Sequence, residues 1–100
     1  MHYILKPSPR NRIKIDKIKE FQSIPGVGKN IAQDLVDLGY SNVEELRTEN
    51  PEEMYQNLIT FRGHHVDRCV LYVFKCAIYF ASNSVHDPEL LKWWNWKDNE

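Results

Sequence analysis

Three features of the 100-residue chain predict an all-α fold. Apolar residues recur at helical spacing with little two-residue alternation. The breaks between those runs carry helix start and stop residues. Hydrophobic residues at 42%, charged residues at 27%, 4 Gly and 5 Pro match a folded globular chain and exclude collagenous or disordered classes. A chain of this length fills one core and leaves little room for a deep substrate cavity beside it, so a multidomain enzyme is excluded and a small-molecule substrate is not expected.

The elements follow in order. Residues 1–12 hold Pro7 and Pro9 around Ser8, then Arg10, Asn11 and Arg12, and read as extended. The division taken is a basic arm over 1–15 and a helical domain over 16–96 ending in a Trp-bearing helix. Ile13, Ile15, Ile18 and Phe21 mark a first helix to about Gln22. Pro25, Gly26 and Gly28 break it, and Ile31, Ala32, Leu35, Val36 and Leu38 form a second helix that stops at Gly39. Ser41 and Glu44 have the spacing of a capping box, and Asn50-Pro51 is a second start signal with Pro at the first helical position. Both open short helices. Gly63 breaks the chain again, and Val66 to about Ser82 carries Val70, Val73, Ala77 and Phe80 on one stripe, widened by Leu71, Phe74, Ile78 and Ala81. So much apolar surface makes it the central helix. Asp87-Pro88-Glu89 opens a last short helix with Leu90, Leu91 and Trp93.

The longest apolar stretch is interrupted by Asp67, Arg68 and Lys75, whereas a membrane span needs about 20 mostly apolar residues. The first residues lack the pattern of an export signal, so a cytoplasmic protein is expected. Cys69 and Cys76 lie seven apart in one helical pattern, about 10.5 Å along its axis. That is beyond the roughly 7 Å reach of a disulfide. Two reduced thiols fit a reducing compartment. The net charge of −1 hides an asymmetry: residues 1–30 hold seven Lys and Arg against two Asp and Glu, and residues 31–100 hold six against twelve. A basic end suits a polyanion, although a solvated tail would look the same.

The informative segment is Ile24-Pro25-Gly26-Val27-Gly28-Lys29-Asn30-Ile31-Ala32, with Leu35 beyond it. Gly26 and Gly28 carry no Cβ and can take positive φ, so another backbone can come close. Gly28 just precedes a helix, whose unpaired first amides and dipole make a phosphate-sized anion site, with Lys29 as a mobile charge beside it. Ile24, Val27, Ile31, Ala32 and Leu35 have the sizes that let two helices pack closely.

This segment resembles the helix-hairpin-helix motif, in a SAM-like helical domain. The resemblance implies that hairpin amides grip DNA phosphates without reading bases, and that some members hold a monovalent cation on hairpin carbonyls. It assigns Gly26, Val27, Gly28, Lys29 and Asn30 to phosphate, with Arg10, Arg12, Lys14 and Lys17 adding charge. Phe61 to Asp67 before the long helix reads as a degenerate second hairpin, in which Arg62 and His64 would donate to phosphate. Nearly the whole chain is similar to the bacterial pathogenicity-locus family, also labelled mitomycin-resistance-like. The carrying segments are Ile24–Lys29, Asn50–Tyr55, Val66–Tyr72 and Leu91–Trp96.

Other residues have plainer readings. His64, His65, Asp67 and Cys69 lack the paired-ligand spacing of a structural zinc site, and Asp67 suits a helix cap. Cys69 reads as a packing residue. Trp93 fits the core-facing stripe of the last helix, leaving Trp94 or Trp96 as the partner-contact candidate. No paired carboxylates, Ser-His-Asp set or Walker loop occurs, and the extra domain of base-excision enzymes is missing. The expectation is a non-enzymatic accessory protein that binds DNA without sequence preference, in repair or stress resistance. The alternative is an adaptor that recruits a protein partner and uses the hairpin only as scaffold. No resident metal or organic cofactor is expected.

Overall fold

The computed structural model describes residues 9–98, and of residues 9–13 the backbone path alone. Within them the chain is all-helical, as the periodicity predicts. Four α-helices, α1 (Pro9–Phe21), α2 (Lys29–Asp37), α3 (Pro51–Arg62) and α4 (Cys69–Ser82), are supplemented by 3-10 turns at Val43–Leu46, Pro88–Leu91 and Trp93–Trp96. No strand occurs among the described residues.

α4 is the centre. Leu71, Val73, Phe74, Cys76 and Ala77 are buried on it, and it packs against α3, the Val43–Leu46 turn and both C-terminal turns. α1 and α2 pair with each other and contribute Phe21, Ile24, Val27, Ala32 and Leu35 to the core. Leu46, Met54, Tyr55 and Leu58 complete it. Each Leu, Ile, Val, Phe or Met side chain among them that is removed from water stabilises the fold by about 1.5–3 kcal/mol before entropy is counted.

α1 corrects the expected arm. It already begins at Pro9, where proline has no amide to lose, so Arg10, Arg12 and Lys14 stand on a helix and not on an extended segment. The remaining arm residues, 1–8, lie outside the described residues. α2 ends as predicted: Gly39 at φ +100 follows Leu38, and the Gly39 and Tyr40 amides donate to the Val36 and Leu35 carbonyls at 3.0 and 3.1 Å. This pair of bonds is a Schellman motif.

The capping box lies one residue further on than Ser41 and Glu44 suggest. Asn42 is the cap, its Oδ1 accepting from the Glu45 amide at 3.1 Å, while Glu45 Oε1 accepts from the Ser41 and Asn42 amides. The element that it opens is a single 3-10 turn. Asn50 and Pro51 start α3 as predicted, with Asn50 Oδ1 accepting from the Glu52 and Glu53 amides. α3 runs to Gly63 at φ +74 and is longer than expected.

α4 starts at Cys69 and not at Val66. The Asp67 carboxylate accepts from the Cys69 amide at 2.9 Å, and the Tyr55 hydroxyl donates to the Val66 carbonyl at 2.5 Å, which fixes Val66 and Asp67 outside the helix. The expected last helix is two 3-10 turns separated by extended Lys92. They run back along α4, and Asp98 beyond them meets Arg68, Tyr72 and Lys75 of its first half.

Candidate functional site

The loop from Gln22 to Gly28 joins α1 to α2. Ile24 and Val27 point into the core and hold it, and the Val27 amide donates to the Ile24 carbonyl at 3.0 Å. Val27 therefore belongs to the frame of the loop, because its amide is already engaged. Gly26 takes φ +86, which favours glycine. Gly28 does not need that freedom: it is extended, at φ −87 and ψ −174, and caps α2. A Cβ at Gly28 would meet nothing within 4 Å, so its side of the loop is open.

The first bond into α2 runs from the Ala32 amide to the Gly28 carbonyl at 2.9 Å. The amides of Gly28, Lys29, Asn30 and Ile31 precede it, and among the described residues no side chain caps them. Three other starts are covered, that of α3 by Asn50, that of α4 by Asp67 and the turn at Pro88 by Asp87, whereas the Trp93 turn also lacks a side-chain cap. Lys29 and Asn30 are exposed. Lys29 and Lys19 of α1 flank a shallow groove of about 310 Å³ floored by Ile15 and Ile18.

Charge pairing separates this end of the molecule from the rest. Arg47 meets Glu44, Arg62 meets Asp34 and Asp37, Arg68 meets Glu52 and Asp98, Lys75 meets Asp98, and Lys92 meets Glu89. Among the described residues Lys14, Lys17, Lys19, Lys29 and Lys97 have no carboxylate within 4.0 Å. The carboxylate of Glu20, on α1, is turned to the Val43 amide at 2.7 Å.

The second hairpin does not repeat this arrangement. Arg62 Nη2 donates to Asp34 Oδ1 at 2.6 Å and Asp37 Oδ2 at 2.7 Å, which ties α3 to α2. Those two carboxylates hold the guanidinium more firmly protonated than usual. Arg62, expected at phosphate, is thus engaged by two carboxylates inside the fold. His64 is exposed on the following loop, with Nδ1 2.8 Å from the His65 carbonyl. Gly63 shares positive φ with Gly26, yet the helix after it starts only at Cys69 with Asp67 over its amide. That bond and, next, a further one to Cys69 hold the Asp67 carboxyl below the usual range.

Burial raises the Cys69 thiol above its ordinary value and Asp67 adds to this, while burial alone raises Cys76. Neither is poised as a thiolate nucleophile. Cys76 is buried, with Sγ 3.6 Å from the Leu90 carbonyl and 3.9 Å from that of Pro25.

Sequence reasoning missed one neighbour of the hairpin. A Cβ built on Gly26 would lie 3.1 Å from Cδ1 of Trp93, so this glycine makes room for an indole from the far end of the chain. Trp96 is half-buried, donating Nε1–H to the Leu90 carbonyl at 2.8 Å and lying against Tyr79. It is therefore committed inward, whereas Trp94 is 50% exposed.

No helix among the described residues is long and apolar enough to cross a membrane. No curated protein matches the chain, and no solved structure does. The pathogenicity-locus (Cdd1) family model matches residues 14–100, spanning the α1–α2 loop, the central helix and the Trp-bearing end, and the chain belongs to that family.

Proposed function

We propose that the α1–α2 pair is a helix-hairpin-helix and that the chain binds DNA through it without reading sequence, as a non-catalytic accessory factor in the cytoplasm. One observation carries the reading: the uncapped amides of Gly28 to Ile31 coincide with lysines that have no carboxylate partner among the described residues. Unpaired amides at a helix start attract phosphate, and unpaired lysines strengthen that attraction over a Debye length. Gly28, Lys29 and Asn30 hold one phosphate, and Lys14, Lys17 and Lys19 of α1 supply charge to its neighbours. Arg10 and Arg12 share that helix, and repair or stress resistance is the setting we assign.

Fluorescence anisotropy of labelled duplex, titrated with the wild type and Lys29→Glu at several salt concentrations, tests the reading. Affinity should fall linearly on a log–log plot with salt, with a slope of about −0.9 per phosphate engaged. Lys29→Glu should remove most binding. A variant that binds like the wild type would make the hairpin scaffold.

A second reading rests on the exposed Trp94 and on Trp93 filling the space beside Gly26. Here the hairpin is a packing element and the Trp end recruits a protein, so Trp94→Ala would lose that partner while Lys29→Glu keeps it.

A further inference from the structure

The Trp93–Trp96 turn is fixed at both ends and open in the middle. Trp93 rests on Gly26, and Trp96 is held by its bond to Leu90 and by Tyr79, whose ring centroid lies 5.7 Å away. Trp94 stands between them, edge-on to Trp93 with centroids 5.8 Å apart and planes at 87°, and half of it is exposed. Lys97 Nζ lies 5.9 Å from the centre of the Trp93 ring and has no carboxylate partner among the described residues. The acid next in sequence, Asp98, is taken by Arg68 and Lys75. An exposed indole on a rigid frame, with an ammonium over the neighbouring Trp93 ring and the loop before α2 on the other side of that ring, matches a nucleotide: a flat base attached to an anion.

We propose that Trp94 is a stacking platform for an unpaired base of the strand whose phosphate the hairpin holds, so that the preferred ligand is DNA with a single-stranded gap and not continuous duplex. The inference rests on the DNA-binding reading above and names its substrate class. In intact duplex the faces of the bases are covered by their neighbours, and exposing one costs a few kcal/mol, so Trp94 has nothing to stack on. In a gap that cost is absent and the stack is gained.

The test is anisotropy with three labelled ligands of equal length: intact duplex, duplex with a short gap, and duplex whose gap carries abasic sites. Wild type should bind the gap about tenfold more tightly than either other ligand, within the range one base–aromatic stack supplies. Trp94→Ala should bind all three alike, with duplex affinity within about twofold of wild type, and Trp94→Phe should restore part of the preference. Equal wild-type affinity for gap and duplex, equal affinity for gap and abasic gap, or a preference that survives Trp94→Ala would each overturn the proposal. The two readings fail separately. Lys29-dependent binding without gap preference removes only the platform, whereas absence of binding to every ligand, or indifference to Lys29→Glu, removes both. In that last case loss of a protein partner by Trp94→Ala would assign the indole to the adaptor role.

Discussion

Gly26 and Gly28 are two residues apart and have opposite requirements. Gly26 holds φ +86 against an indole, so Gly26→Ala combines a left-handed backbone with a tight contact and should cost about 1–2 kcal/mol in urea unfolding. Gly28 is extended with open space around it, so Gly28→Ala should change stability by no more than about 0.5 kcal/mol. On the proposed DNA-binding reading it should nevertheless weaken duplex binding several-fold in the anisotropy assay, because its methyl group would stand where that reading puts the phosphate. Arg62 shows the reverse pattern. Arg62→Met leaves Asp34 and Asp37 facing each other and should cost about 1–2 kcal/mol after allowance for solvent screening, with duplex affinity unchanged. Tyr40 is pushed up to about 12, first by burial and then by Glu49. A raised pKa means that its stabilising contribution is complete below the unfolded value of about 10 and is lost as pH rises towards 12. Absorbance at 295 nm should show one late-titrating tyrosine that Tyr40→Phe removes.

At the scale of elements, the strap from Pro88 to Asp98 is held in part by an ionised carboxylate and is therefore open to acid. Arg68 first, then Tyr72 and Lys75, hold the Asp98 carboxyl below its ordinary range. A lowered pKa gives stability that is present above about pH 4 and lost as pH falls through the folded value. Tryptophan emission should therefore shift to the red below pH 4 as the strap loosens, and Asp98→Asn should show the shifted spectrum at neutral pH. An unshifted variant would mean that Trp93 and Trp96 hold the strap unaided. Local signals made most elements legible: Gly39 and Gly63 as stops, Asn50-Pro51 as a start, and the apolar width of α4. Errors arose where distant partners decide. Ser41 and Asn42 are both good caps, and the choice depends on how Glu45 and Glu20 reach back to the backbone. Asp67 and Tyr55 together delay α4, and packing on α4 divides the Trp-bearing segment into two turns. The break at Pro25–Gly28 and the start of α2 behind it were legible, because proline and glycine spacing encodes them. Arg62 bonding to Asp34 and Asp37 and Trp93 resting on Gly26 join residues far apart in sequence, which no local pattern reveals.

Across the whole molecule, charge is sorted by whether it is already matched. Among the described residues Arg62, Arg68, Lys75 and Lys92 are paired internally, whereas Lys14, Lys17, Lys19 and Lys29 at the α1–α2 end, and Lys97 on the strap, have no carboxylate within 4.0 Å. The field a partner meets is therefore set by one end, although the chain as a whole carries only −1. If Lys14, Lys17, Lys19 and Lys29 each meet phosphate, the salt slope should lie near about −3 to −4, and reversing any one of them should reduce it by about one. The contact between Gly26 and Trp93 closes a loop of about two-thirds of the chain. Such closures come late in folding, because the chain must lose that freedom before the contact rewards it. Trp93→Ala should accordingly leave the refolding arm of a chevron nearly unchanged and steepen the loss on the unfolding arm, raising the unfolding rate about tenfold if the contact is worth about 1.4 kcal/mol. The indole beside the hairpin would then act as a latch on the lifetime of the native state.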